Sequence, residues 1–112
     1  MFPIEPTVPQ ISADEAKQIL DSKEKVLLLD VRTTGEYEQR RIKESVNLPL
    51  DQVESEIQHT APDKSVKIIV YCLSGSRSVF AVDFMREMGY ENVFNMTNGL
   101  LAWLAKGYEI EK

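Results

Sequence analysis

Apolar positions recur along this chain with two different periods. Val26-Leu27-Leu28-Leu29-Asp30-Val31 and Lys67-Ile68-Ile69-Val70-Tyr71 are short, almost wholly apolar and rich in branched side chains. Such runs predict strands buried on both faces, as in a parallel sheet. Asn92-Val93-Phe94-Asn95-Met96 predicts a third strand, and Ser45-Val46-Asn47-Leu48 a shorter one that Pro49 ends. Between these runs the spacing is helical. Ser12-Ala13-Asp14-Glu15 is a capping box, in which the Ser12 hydroxyl accepts from the N–H three residues on and Glu15 reaches back. Ala16, Ile19 and Leu20 then share one face. Leu50, Val53 and Ile57 predict a helix that ends near Ala61-Pro62-Asp63. Arg77 to Met88 predicts another, with Ala81, Phe84, Met85 and Met88 opposite Asp83, Arg86 and Glu87. Gly89 is placed to cap that helix in the left-handed conformation. Leu100, Leu101, Trp103 and Leu104 mark a last helix, closed by Gly107.

Strands alternating with helices form βαβ units. The expected fold is therefore α/β, a mostly parallel central sheet with helices on both faces. Ligands bind such sheets beyond the carboxyl ends of the strands. Two places qualify: Asp30-Val31-Arg32 and Tyr71-Cys72. Pro3, Pro6 and Pro9 make residues 1–10 an extended lead-in, and one domain is expected over 11–112.

Composition narrows the partners. A chain of 112 residues with 43% hydrophobic content builds one core. Thirteen basic against eighteen acidic residues give a net charge of −5, which argues against general affinity for nucleic acid or anionic lipid. No apolar run approaches the roughly 20 residues of a spanning helix. Neither nucleic acid nor membrane is expected as a partner. The single cysteine, Cys72, excludes an intramolecular disulfide and a thiol-rich metal site. His59 is the only histidine, so no metal is expected, and no cofactor. The first residues lack the basic and apolar regions of a secretory leader, so a reduced cytoplasmic setting is expected, and a monomer.

Chemistry concentrates in Cys72-Leu73-Ser74-Gly75-Ser76-Arg77-Ser78, the loop between a buried strand and a helix. Gly75 permits the curl such a short loop needs. Successive N–H groups in a curl form a nest for an anion, and the helix start adds its dipole. Arg77 adds a full charge. Together these favour the thiolate of Cys72 without a Cys–His pair. Asp30 and Arg32, closing the neighbouring strand, either face the pocket or anchor loops through an ion pair. Trp103 reads as core, His59 as a surface residue, and Arg40-Arg41-Lys43 and Lys64-Lys67 as solvated faces.

Cys72-x-x-Gly75-x-Arg77-Ser78 resembles the active-site loop of rhodanese-type sulfurtransferases. Leu28-Leu29-Asp30-Val31-Arg32 with Glu36-Tyr37 resembles the family's first signature. Arg41-Ile42 with Val46-Asn47-Leu48-Pro49-Leu50 occupies the place of its second conserved segment. Gly89 to Val93 and Asn98-Gly99-Leu100-Leu101-Ala102-Trp103 resemble its C-terminal signature. The resemblance covers about Ile11 to Gly107 and implies a single rhodanese-like domain. Three departures stand out: Arg40-Arg41 replaces the usual Gly-His, Glu44 a small residue, and Asn98-Gly99 a Gly-Gly pair.

The resemblance implies a sulfurtransferase that moves a sulfane sulfur from a small anionic donor such as thiosulfate to a thiol or cyanide. Cys72 is then the nucleophile and carries a persulfide. The thiol acceptor is a small molecule or a protein. Arg77 orients the loop or the donor. Leu73, Ser74, Gly75, Ser76 and Ser78 supply N–H groups and hydroxyls to the sulfur or the donor, with Asp30 and Arg32 as further candidates; the Ser78 hydroxyl reads as that of a helix-start residue rather than a substrate contact. Phosphatases and arsenate reductases on related folds place five residues between Cys and Arg. Here four intervene, Leu73 to Ser76, a tighter loop suited to one sulfur atom. A sulfur-relay or protein-interaction module with little free-substrate activity is the other reading.

Overall fold

The computed structural model describes residues 5–112, so Pro3 of the lead-in lies outside the described residues. Five strands and five helices follow one another: β1 (Gln10–Ile11), α1 (Ala13–Asp21), β2 (Val26–Asp30), α2 (Thr34–Gln39), β3 (Val46–Asn47), α3 (Val53–Thr60), β4 (Lys67–Tyr71), α4 (Ser76–Glu87), β5 (Val93–Met96) and α5 (Gly99–Ala105). The sheet runs β1-β5-β4-β2-β3, and each strand pairs in parallel with its neighbour. The α/β architecture expected from the pattern is what forms.

Register places the site. The apolar runs of β2 and β4 pair from Val26↔Lys67 to Asp30↔Tyr71. The two strand ends singled out by the sequence are therefore neighbours, and Cys72 follows directly. Side chains alternate across the sheet. Leu29, Ile68 and Val70 pack with Ile57, Val82, Met85 and Tyr90 on the α3/α4 face. Leu28, Ile69 and Tyr71 pack with Ala16, Met96, Leu100 and Trp103 on the α1/α5 face. Burying one such aliphatic side chain is worth about 1.5–3 kcal/mol. The central strands contribute to both layers, which makes them the rigid floor beneath the loop.

Some elements were not anticipated. β1 is two residues long, too short to show a period, and it turns the end of the lead-in into an edge strand beside β5. α2 buries no residue, so it has no apolar stripe to betray it. Its start is nevertheless a complete capping box, Thr33 with Glu36. The helix expected from Leu50 begins as a single 3₁₀ turn, Leu50–Gln52, before α3. α4 begins at Ser76, one residue earlier than expected.

The departures at 44 and 98 have a backbone meaning. Glu44 has φ +69° and Asn98 has φ +59°, both in the left-handed region that favours glycine. Asparagine tolerates that region better than glutamate does. Arg41 is engaged by the C-terminal segment. It exchanges backbone hydrogen bonds of 2.9 and 2.8 Å with Glu111, and its guanidinium stacks 5.0 Å from the Tyr37 ring.

Candidate active site

β4 delivers Cys72 to the sheet's carboxyl edge, and the chain then curls back over the sulfur. Gly75, with φ +98°, makes this reversal and forms the N-cap of α4. Its own N–H donates to Cys72 Sγ at 3.1 Å. The Ser78 N–H, in the first turn of α4, donates to the same sulfur at 3.4 Å. The Ser78 hydroxyl lies 3.3 Å from it. Two N–H groups aimed at one atom accommodate negative charge there. Cys72 is fully buried, whereas Leu73, Ser74 and Ser76 form an exposed lip above it. The Ser74 and Ser76 hydroxyls lie 3.3 Å from each other, not from the sulfur.

The loop's carbonyls are held from the opposite side. Leu100 N–H donates to Cys72 O at 2.8 Å, and Leu101 N–H donates to Leu73 O at 3.0 Å. The first turn of α5 thus draws the carbonyls away from the sulfur. Such close approach requires Gly99, because a Cβ there would lie 2.3 Å from Cys72 O. Asn98-Gly99 is therefore a component of the site, a role the sequence reading did not give it.

Arg77 stands at the loop's end, but its charge is paired. Its Nη1 and Nη2 donate to Glu36 Oε1 and Oε2 at 2.7 and 2.9 Å, a two-pronged contact to α2. The Arg77 hydrogen bond holds Glu36 at about 2, below its ordinary 4.5, and Glu36 in turn raises Arg77. The sequence reading expected a full positive charge at the loop and did not place Glu36 in the site. The Thr33–Glu36 capping box was the signal available for it. Two of the five N–H donors of Arg77 are engaged by Glu36, and its side chain is 35% exposed.

Asp30 and Arg32 are brought to the same edge but not to an open surface. Arg32 Nη2 donates to Asp30 Oδ2 at 2.7 Å and to Arg40 O at 2.7 Å, and both residues are buried. Of the two roles expected for them, these contacts describe the ion pair that anchors loops: the pair's charges face each other and the turn after α2. Asn47 Nδ2 adds hydrogen bonds to Asp30 O and Arg32 O, at 3.1 and 3.0 Å. The pair's observed work is to hold three chain segments together.

The structure adds two residues that no loop motif contains. The Ser78 hydroxyl donates to Asn95 Oδ1 of β5, and Asn95 Nδ2 donates to Gln10 Oε1 of β1 at 2.8 Å. A buried amide in an otherwise apolar strand is the signal that could have flagged Asn95. Among the described residues no cluster of His, Cys, Asp and Glu suits a metal ion. No helix among them is long and apolar enough to cross a membrane.

A sequence profile described as Rhodanese-like domain matches residues 12–106. The chain belongs to the rhodanese-like family. This rhodanese-like domain is 33% identical over 103 residues to a sulfurtransferase of Allochromatium vinosum, covering 92% of the chain and 94% of that relative. It is 37% identical over 67 residues to the thiosulfate sulfurtransferase PspE of Escherichia coli, covering 60% of the chain and 64% of PspE. In structure it resembles the thiosulfate sulfurtransferase of Pseudomonas aeruginosa, with a TM-score of 0.85 and 26% identity over 92% of the chain. The rhodanese-like domain spans only 20% of that larger chain.

Proposed function

We propose that this rhodanese-like domain transfers sulfane sulfur through a persulfide on Cys72, with thiosulfate as a competent donor. One observation carries the reading: the Cys72 sulfur lies at the focus of the Gly75 and Ser78 N–H groups, 3.1 and 3.4 Å away. The four-residue loop is sized for one sulfur atom, and similarity to enzymes named for thiosulfate supports the donor.

In the first half-reaction the Cys72 thiolate attacks the outer sulfur of thiosulfate. A bond forms between Sγ and that sulfur, and sulfite leaves with the electron pair of the broken S–S bond. In the second half-reaction an acceptor thiolate, or cyanide, attacks the outer sulfur. Sγ leaves with the pair, and the thiolate returns. The loop N–H groups stabilise negative sulfur at both ends of the cycle. Arg77, through the donors that Glu36 leaves free, meets the charge of the incoming anion. The test is intact mass before and after incubation with thiosulfate. Wild type gains one sulfur atom, and Cys72→Ser gains none. Absence of the gain in wild type refutes the thiosulfate reading.

A second reading, delivery of sulfur to a protein thiol, draws on the apolar lip. Leu73 and Leu101 are 38% and 50% exposed and adjoin through the Leu101–Leu73 backbone bond. Apolar side chains at the mouth suit a protein acceptor better than a small hydrophilic one. Leu101→Ser then slows transfer to a protein thiol and leaves transfer to cyanide unchanged.

A further inference from the structure

Asn95 is a buried amide with a hydrogen-bond partner at each end. Gln10 Oε1 accepts from Asn95 Nδ2 at 2.8 Å and from Thr97 Oγ1 at 2.9 Å. In this arrangement the Asn95 nitrogen faces β1 and its oxygen faces α4. Asn95 Oδ1 can only accept, and its donor is the Ser78 hydroxyl. Ser78 has one hydroxyl proton and three acceptors around it: Asn95 Oδ1, Gly75 O at 3.3 Å and Cys72 Sγ at 3.3 Å.

These acceptors compete. While the proton lies on Asn95, the Ser78 oxygen presents lone pairs to the sulfur, and a thiol S–H finds its acceptor there. A negative sulfur draws the proton to itself. That leaves Asn95 Oδ1 buried without a donor, which is unfavourable. The amide therefore favours the thiol and opposes the thiolate, as a counterweight to the loop N–H groups.

We propose that Asn95 is a positioning residue for Cys72: through Ser78, the Gln10–Asn95–Ser78 chain raises the basicity of the sulfur. The consequence for turnover rests on the persulfide reading above. Loading needs the thiolate, whose fraction a more basic sulfur lowers, and unloading needs Sγ to leave, which a more basic sulfur does more slowly. Asn95 thus restrains both half-reactions and holds a loaded sulfur on Cys72 for longer. The charged groups at this edge of the sheet are the pairs Arg77 of α4 with Glu36 of α2, and Asp30 of β2 with Arg32. None of the four is a hydrogen-bond partner of Ser78, Asn95 or Gln10, so substitutions in the chain leave them in place.

The test is the pH dependence of Cys72 alkylation by iodoacetamide, with no sulfur donor present. Asn95→Leu moves the midpoint at least about half a unit to lower pH, roughly threefold more thiolate below the midpoint. In a Ser78→Ala background the same substitution moves nothing. A shift that persists without the Ser78 hydroxyl overturns the proposal, as does an unmoved midpoint with Ser78 present. Gln10→Ala is made alongside, because Gln10 is exposed and its loss leaves the fold intact even where Asn95→Leu does not fold. It releases the amide and moves the midpoint the same way by a smaller amount, and an unmoved midpoint there also overturns the proposal. Failure of thiosulfate to load any of these proteins refutes the thiosulfate reading and leaves the alkylation result standing.

Discussion

Arg77 and Glu36, 41 residues apart, meet in two parallel hydrogen bonds of 2.7 and 2.9 Å. The same carboxylate accepts from the Thr33 N–H and hydroxyl, both at 3.1 Å, and so also caps α2. One side chain thus ties the exposed helix after β2 to the residue that ends the cysteine loop.

Lysine at 77 keeps the charge and loses the fork. Arg77→Lys is expected to lower thiosulfate-to-cyanide turnover at least about tenfold, or roughly 1.4 kcal/mol of transition-state stabilisation. Unfolding free energy changes by about 1 kcal/mol or less, because the pair is partly exposed to water. Steady-state rates and urea unfolding on one preparation check both. Equal turnover in the two proteins reduces Arg77 to general positive potential.

Glu36 also sets an acid dependence. Its folded value, about 2, lies below its ordinary 4.5 because Arg77 favours the carboxylate. The stabilisation is therefore complete above about pH 4.5 and is lost as pH falls toward about 2. Urea midpoints of wild type and Glu36→Gln should differ most at neutral pH and converge near pH 2. A constant difference across that range would mean that ionisation of Glu36 does not stabilise the fold.

At position 99 there is no room for even one methyl group. The Cβ of Gly99→Ala would sit 2.3 Å from Cys72 O, on backbone with φ +52°. About 2 kcal/mol or more of stability should be lost. Sulfur loading should fall further than stability alone explains, because the loop carbonyls must shift. Thermal melts and intact mass measure the two effects. A variant with wild-type melting and loading would show that the carbonyls can move freely.

Glu44 gives the opposite expectation. It is exposed, and its φ of +69° is easier for glycine. Glu44→Gly is expected to stabilise the fold by about 0.5–1 kcal/mol, less the extra freedom glycine gains when unfolded. A lower urea midpoint in the variant would contradict this.

What the sequence disclosed follows from where free energy leaves a local mark. β2 and β4 are buried on both faces, so their composition announced them, and their pairing brought Asp30 beside Tyr71 without further information. Cys72 and Gly75 were legible because a strand-to-helix curl needs a small set of residue types, whereas the Ser78 hydroxyl read as a helix start and lies 3.3 Å from the sulfur. Glu36, Asn95 and Gly99 were not assigned to the site, because each reaches it through tertiary contact from another element. Glu36 lies on a helix with no buried residue, and Gly99 matters through an approach to a carbonyl 27 positions earlier. Asp30 and Arg32 show the converse. Sequence position put them at the ligand-binding edge with two roles open, and packing shows the ion pair in which they face each other.

The dependence of the loop on α5 bears on how the protein can be cut. Each hydrogen-bond partner of the Cys72 sulfur, Gly75 and Ser78, lies before position 79, so a fragment ending after β5 would contain the whole cradle in its primary structure. It would lack the Leu100 and Leu101 N–H groups that hold the cradle's carbonyls outward. Freed of them, the peptide units of Cys72 and Leu73 can rotate and turn oxygen toward the sulfur, converting an anion-binding surface into one that repels anions. Splitting, permuting or grafting this domain therefore requires the last helix to travel with the loop.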